Sequence, residues 1–141
     1  MTDVPEQLRA SMENSPYPRL LGFRLLELTE GYAKVAVTLR AEHTNFLNMV
    51  HGGLVMSLAD YAFACSCNSL GKPRVAVQFS TNFISSPAVG GDLIAEARTV
   101  YAGESMALTE IIVNDAGGRM IARATGTAMA RANRGSAGKG T

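Results

Sequence analysis

The sequence predicts an α+β fold, and three observations lead to it. From Leu20 to Leu39 apolar residues recur with a period of two, the mark of half-buried strands. A long apolar segment from about Gly53 to Leu70 lacks that period and stops at Gly71 and Pro73, as a buried helix does. After it, four alternating runs are separated by short turns. A strand pair, one long helix and then four strands is an α+β order.

The elements follow in chain order. Residues 1–19 carry Pro5, Pro16 and Pro18, with a short helix expected over Glu6–Met12, where Leu8 and Met12 lie four apart. Residues 20–130 are expected to form the domain proper. In its first hairpin Leu21, Phe23 and Leu25 alternate, Gly31 marks the turn, and Ala33, Val35, Val37 and Leu39 line one face. The loop Ala41–Val50 has neither period. Its Phe46, Leu47 and Met49 need a pocket or a partner chain to bury them, and its His43 is expected to be exposed. The long helix carries Leu54, Val55, Leu58, Tyr61 and Phe63 around its circumference, so other structure must wrap it. The last strands are expected at Arg74–Ile84, Asp92–Tyr101, Ser105–Asn114 and Arg119–Ala130, with sequence neighbours antiparallel. Residues 131–141, rich in Gly, Ala and Ser, read as a disordered tail.

Composition narrows the function classes. The chain has 141 residues, 47% hydrophobic and 18% charged, which suits one ordinary globular domain. Net charge is +1, but Arg131, Arg134 and Lys139 sit in the tail, leaving residues 1–130 at −2 and no support for a nucleic-acid groove. The N-terminus has no basic region followed by an apolar run. The apolar stretch Gly52–Leu70 is broken by Ser57, Asp60, Ser66, Asn68 and Ser69 and is too polar to span a membrane. A cytoplasmic protein without a membrane partner is expected. Cys65 and Cys67, two apart on a helix, point in different directions and suit neither a disulfide nor a zinc site, so no metal is expected. Neither a Gly-x-Ser-x-Gly elbow nor a Gly-rich phosphate loop occurs, and no cofactor is expected.

What polar chemistry there is gathers between Asn45 and Asp60. Asp60 is the one charge on the apolar helix, with no Lys, Arg or His within a turn and with Met56, Phe63, Ala64 and Cys67 on its face. Burying a lone carboxylate costs several kcal/mol, roughly, or shifts its pKa, which makes Asp60 a candidate acid-base group or nucleophile rather than a solvated edge residue. Gly52 and Gly53 begin the helix, where unpaired N–H groups at the positive end of the dipole stabilise an oxyanion. A bare Gly-Gly is ordinarily only a tight turn; the carboxylate beyond it favours the donor reading. Eight residues of helix, about 12 Å at ~1.5 Å per residue, separate Gly52 from Asp60. One carbonyl cannot touch both in the same chain, so a shared site requires two subunits. His51 orients the loop or contacts substrate, and Asn45 positions water or caps the loop; both alternatives stand.

Asn45, then His51-Gly52-Gly53, then Ser57-Leu-Ala-Asp60 and an Ala-rich helix ending Cys67-Asn-Ser69 closely resemble the hotdog-fold acyl-CoA thioesterases of the phenylacetyl-CoA thioesterase type. The resemblance spans about Leu20 to Ala130 and includes Asn82-Phe83-Ile84 and Gly91-Asp92. It implies the hotdog fold, a curved antiparallel sheet wrapped around one long central helix, in homodimers that commonly pair into homotetramers. It implies hydrolysis of an acyl-CoA, medium-chain or aryl, to free acid and CoA. Asp60 would then be the catalytic carboxylate, Gly52 the backbone donor to the thioester carbonyl, Asn45 a positioning group and His51 its support. Gly53, Phe46, Leu47, Tyr61, Ser80, Thr81 and Asn82 would line the substrate site. The chain departs from the family in having Asn82-Phe-Ile-Ser-Ser-Pro87 where members often carry an Arg near the CoA phosphates, and Ala64 where some place a Thr. A hotdog module that binds acyl-CoA without hydrolysing it is the alternative, and a carrier-protein thioester is an alternative substrate.

Overall fold

A computed structural model describes residues 3–131. Two short helices, α1 (Glu6–Glu13) and α2 (Pro16–Leu21), precede strands β1 (Arg24–Thr29) and β2 (Tyr32–Thr38). A 3-10 turn at Ala41–His43 leads to the long helix α3 (Gly52–Asn68), followed by β3 (Arg74–Phe83), β4 (Asp92–Ala102), β5 (Met106–Asp115) and β6 (Met120–Ala130). The strands form one curved antiparallel sheet in the order β1-β2-β4-β5-β6-β3, and α3 touches every one of them. This is the expected hotdog architecture.

The inner face of the sheet is built for a close helix. Val35, Val37, Leu93, Ile111 and Val113 are fully buried, and so are Ala95, Ala97, Ala107, Ala122 and Ala128, whose small side chains admit α3. Gly126 carries this furthest: a Cβ there would stand 2.7 Å from the Phe63 ring. Phe63 in turn stacks on Phe79 of β3, centroids 5.6 Å apart. β3 runs antiparallel along α3, with Phe83 beside Gly52 and Arg74 bonded through its backbone N–H to Asn68 Oδ1 at 2.8 Å.

Three expectations change. Leu20 and Leu21 belong to α2, not to a strand: Pro16 starts the helix, Gly22 ends it in the left-handed region (φ 82°), and β1 begins only at Arg24. β3 is not a neighbour of β4. It pairs with β6 at the sheet edge, while β4 pairs with β2 in the register Ala33↔Ala97, Val35↔Ala95, Val37↔Leu93. The eight-residue connection 84–91 is too long to impose a hairpin, so the matching of apolar faces decides the partner. His43 is buried rather than exposed: its Nδ1 accepts from Arg40 N–H at 3.2 Å and its Nε2 donates to the Leu21 carbonyl at 2.9 Å, so it ties the loop to α2. The expected tail lies, from Ala132 onward, outside the described residues. No helix among the described residues is long and apolar enough to cross a membrane.

Candidate active site

The site begins with a tightly held loop. Asn45 Oδ1 accepts from the N–H groups of Leu47 and Met49 at 2.9 and 3.2 Å, and Asn45 N–H donates to the Met49 carbonyl at 2.8 Å. Asn48 completes the turn at φ 61°. The carboxamide oxygen of Asn45 thus shapes the loop, which holds Phe46 out from the surface at 92% exposure, with Leu47 and Met49 exposed beside it.

His51 is the N-cap of α3. Its Nδ1 accepts from Gly53 N–H at 3.0 Å, which requires Nδ1 to be the unprotonated ring nitrogen. The His51 carbonyl takes the N–H groups of Leu54 and Val55. One helix-terminal donor is left over: among the described residues, Gly52 N–H has no partner. Phe83 lies against the same glycine, with its ring 3.4 Å from the position of a Cβ there. Together with Met49, Val55 and Ile84 it borders a cavity of about 280 Å³ beside Gly52. Sequence reading did not single out Phe83, although the Asn82-Phe83-Ile84 run that it noted contains it.

Asp60 stands two turns further along α3. The residue is exposed, as are Met56 and Ala64 a turn before and after it on the same face. Loss of water on the apolar side of its carboxyl raises the pKa above the ordinary carboxylate value. Exposure and desolvation pull in opposite directions here, and the direction follows from the helix, which offers Met56, Ala64 and Cys67 but no cation to offset the loss. Burial also pushes the thiols of Cys65 and Cys67 up, to about 12 and about 11, so neither supplies a thiolate nucleophile near neutral pH.

The expected site residues therefore fall into groups. Asn45, Phe46, Leu47, His51, Gly52 and Gly53 form a continuous unit at the N-terminus of α3. Asp60 is separated from that unit by two helical turns. Tyr61 is buried, and its hydroxyl donates to the Met12 carbonyl at 2.8 Å, which ties α3 to α1. Ser80 and Asn82 are exposed on β3, and between them Thr81 keeps a buried hydroxyl without a partner among the described residues.

The chain matches the model of the thioesterase superfamily over residues 47–122. A candidate esterase of Archaeoglobus fulgidus is 40% identical over 115 residues, covering 82% of this chain and 75% of the relative. The acyl-coenzyme A thioesterase PaaI of Escherichia coli is 34% identical over 110 residues, covering 77% and 79%. The solved structure of the E. coli PaaI protein superposes with a TM-score of 0.85 at 30% identity, over 89% of this chain and 91% of that one. The match covers Gly52 and Asp60 together with the helix and strands that hold them, and the chain belongs to the thioesterase superfamily, to its hotdog-fold thioester hydrolases of the PaaI type.

Proposed function

We propose that the protein hydrolyses acyl-CoA thioesters to the free acid and CoA at a site assembled from two copies of the chain. The observation that carries this reading is that one helix carries both an unpartnered Gly52 N–H and, two turns further along, an exposed but partly desolvated Asp60 carboxylate. The similarity to an enzyme named acyl-coenzyme A thioesterase supports the substrate class.

In the proposed reaction Gly52 N–H of one copy donates to the thioester carbonyl oxygen, where negative charge grows in the transition state. Asp60 of the other copy acts on the carbonyl carbon by one of two routes. As a general base it takes a proton from water while the water oxygen bonds to the carbon; the tetrahedral intermediate collapses, the C–S bond breaks, and the CoA thiolate recovers the proton. As a nucleophile it bonds directly, expels the thiolate and leaves a mixed anhydride that water cleaves. His51 is a positioning residue in either route: by holding Gly53 N–H it keeps the first turn of α3 in shape while Gly52 N–H stays free.

Release of thiol from a panel of acyl-CoAs tests the activity, and no release from any of them would overturn it. A single turnover in heavy-oxygen water separates the routes. Label in Asp60 with an unlabelled acid product marks direct attack, whereas general-base catalysis never labels the carboxylate.

A further inference from the structure

The proposed reaction makes no use of Phe83. Yet its ring stands over the first residue of α3, with Cζ and Cε1 at 3.4 and 3.5 Å from the position of a Cβ at Gly52. We infer that Phe83 is a positioning residue for the oxyanion donor: its ring and the first turn of α3 form a slot that receives the thioester carbonyl and keeps water from the Gly52 N–H. The inference rests on the reading of the protein as an acyl-CoA thioesterase, and it adds to that site a side chain that neither gives nor takes a proton.

The two aromatic residues on the inner face of β3 are placed differently. Phe79 stacks on the buried Phe63, whereas Phe83, two residues on, stays 55% exposed and has no ring partner among the described residues. The difference follows from where α3 begins: Phe83 lies level with its first residue, so no further turn of helix covers the ring. Its backbone is nonetheless fastened to β6. Phe83 pairs with Ala122, Ile84 N–H donates to the Ile121 carbonyl at 2.8 Å, and Ser85 Oγ donates to the Met120 carbonyl at 2.7 Å.

Gly52 keeps the slot open. Unlike Gly22, it has no left-handed backbone that calls for a glycine; what its missing side chain gives is room, since a Cβ there would stand in contact with the Phe83 ring and narrow the way to the N–H. That N–H has no partner among the described residues, and the cavity of about 280 Å³ borders it. A flat thioester group fits between an aromatic ring and a helix backbone, and once seated it displaces water from both. An N–H that does not share itself with solvent stabilises developing negative charge more strongly than a hydrated one. The ring also bars approach to the donor from its own side, which fixes the face of the carbonyl that Asp60 of the other copy meets.

The test measures thiol release from octanoyl- and phenylacetyl-CoA by the full-length chain. Phe83→Ala is expected to lower kcat at least ~10-fold, short of the ~10²–10³-fold of removing the donor itself, with KM nearly unchanged. The fold-change is expected to be the same for both substrates, because the slot holds the thioester that they share. Phe83→Leu keeps an apolar cover and is expected to recover most of the loss. In the Gly52→Pro background, where no N–H is left to shield, Phe83→Ala is expected to change kcat less than ~2-fold. Losses that multiply in the double variant would overturn the inference, and a changed sedimentation coefficient in Phe83→Ala would then identify the ring as a contact between copies. Infrared difference spectra of octanoyl-CoA with an isotope-labelled carbonyl, bound to the Asp60→Asn protein, give a readout that does not depend on turnover. Donation from the Gly52 N–H lowers the carbonyl stretch, and Phe83→Ala is expected to return it toward that of the free thioester. A shift that depends on Phe83, in a protein whose unsubstituted form releases no thiol, would sink the proposed hydrolysis and keep the slot. A shift that Phe83→Ala leaves in place would sink the slot, and absence of any bound thioester would sink both.

Discussion

At the scale of the residue, Asp60 and Gly52 stand out because each breaks a local rule. A carboxylate on an apolar helix face is held partly desolvated, and in the folded chain its pKa is raised. Protonation removes both its basicity and its nucleophilicity, so kcat/KM is expected to fall on acidification with a midpoint above the ordinary carboxylate value of ~4, read from a pH profile. Stability has the opposite sign. Because folding raises the pKa, the ionised form is disfavoured in the folded state; Asp60 subtracts stability above both pKa values, and the loss fades as pH falls through the folded value and is gone below the unfolded one. Asp60→Asn is therefore expected to lose at least ~10²-fold in turnover while melting above the unsubstituted protein at neutral pH, with the gap closing in acid. Near-normal turnover would remove Asp60 from the mechanism. For Gly52 the clean change is to proline, which deletes the N–H but is welcome at the first helical position. The preceding residue, His51, already has the φ −66°, ψ 132° that a following proline requires. Gly52→Pro is expected to keep its far-ultraviolet circular dichroism and to lose about 10²–10³-fold in kcat, the effect of removing one oxyanion donor. Both groups were legible in the sequence since each is anomalous among its own neighbours. His43 was not: its burial depends on Leu21, 22 residues earlier, and local pattern carries no trace of that bond.

At the scale of the element, period and punctuation located the helix and five of the six strands to within a few residues. They failed where a short helix and a strand share an apolar run, at Leu20–Phe23, because Pro16 and Gly22 decide that boundary and apolar spacing does not. They failed again on the place of β3, which depends on pairing with β6, far along the chain, from Arg74↔Ala130 to Phe83↔Ala122. That pairing positions Gly126 under the Phe63 ring, and here packing makes its own prediction. A methyl group at 126 meets ring carbons at 2.7–2.9 Å, and the ring is wedged between the sheet and Phe79, so it has nowhere to turn. Gly126→Ala is expected to cost about 1–3 kcal/mol in denaturant unfolding, the usual scale of overpacking. A neutral result would mean that α3 moves freely on the sheet, and the position of Asp60 would then not be set by packing.

At the scale of the molecule, the single chain leaves too much unfinished. Among the described residues β3 has β6 on one side and no strand on the other, and it carries Val75 and Val77 at 50% and 60% exposure. A bare apolar edge invites another strand. Phe46 and Leu47 project from a hydrogen-bonded loop, exposed among the described residues at 92% and 60%. A second copy related by a two-fold axis is the proposed cover for the edge, the loop and the exposed face of Asp60. Such an arrangement would bring Gly52 of one copy to Asp60 of the other, and it can be tested without seeing the dimer. Asp60→Asn and Gly52→Pro each disable every site in a homodimer. A mixed dimer, made by co-expression, holds one site with both groups intact and one with neither. With random pairing half the dimers are mixed and half their sites work, so activity is expected to return to about a quarter of the unsubstituted level. If both groups instead served a site within one chain, every chain in the mixture would lack one of them. Activity would then stay at the level of the separate variants, however the chains paired.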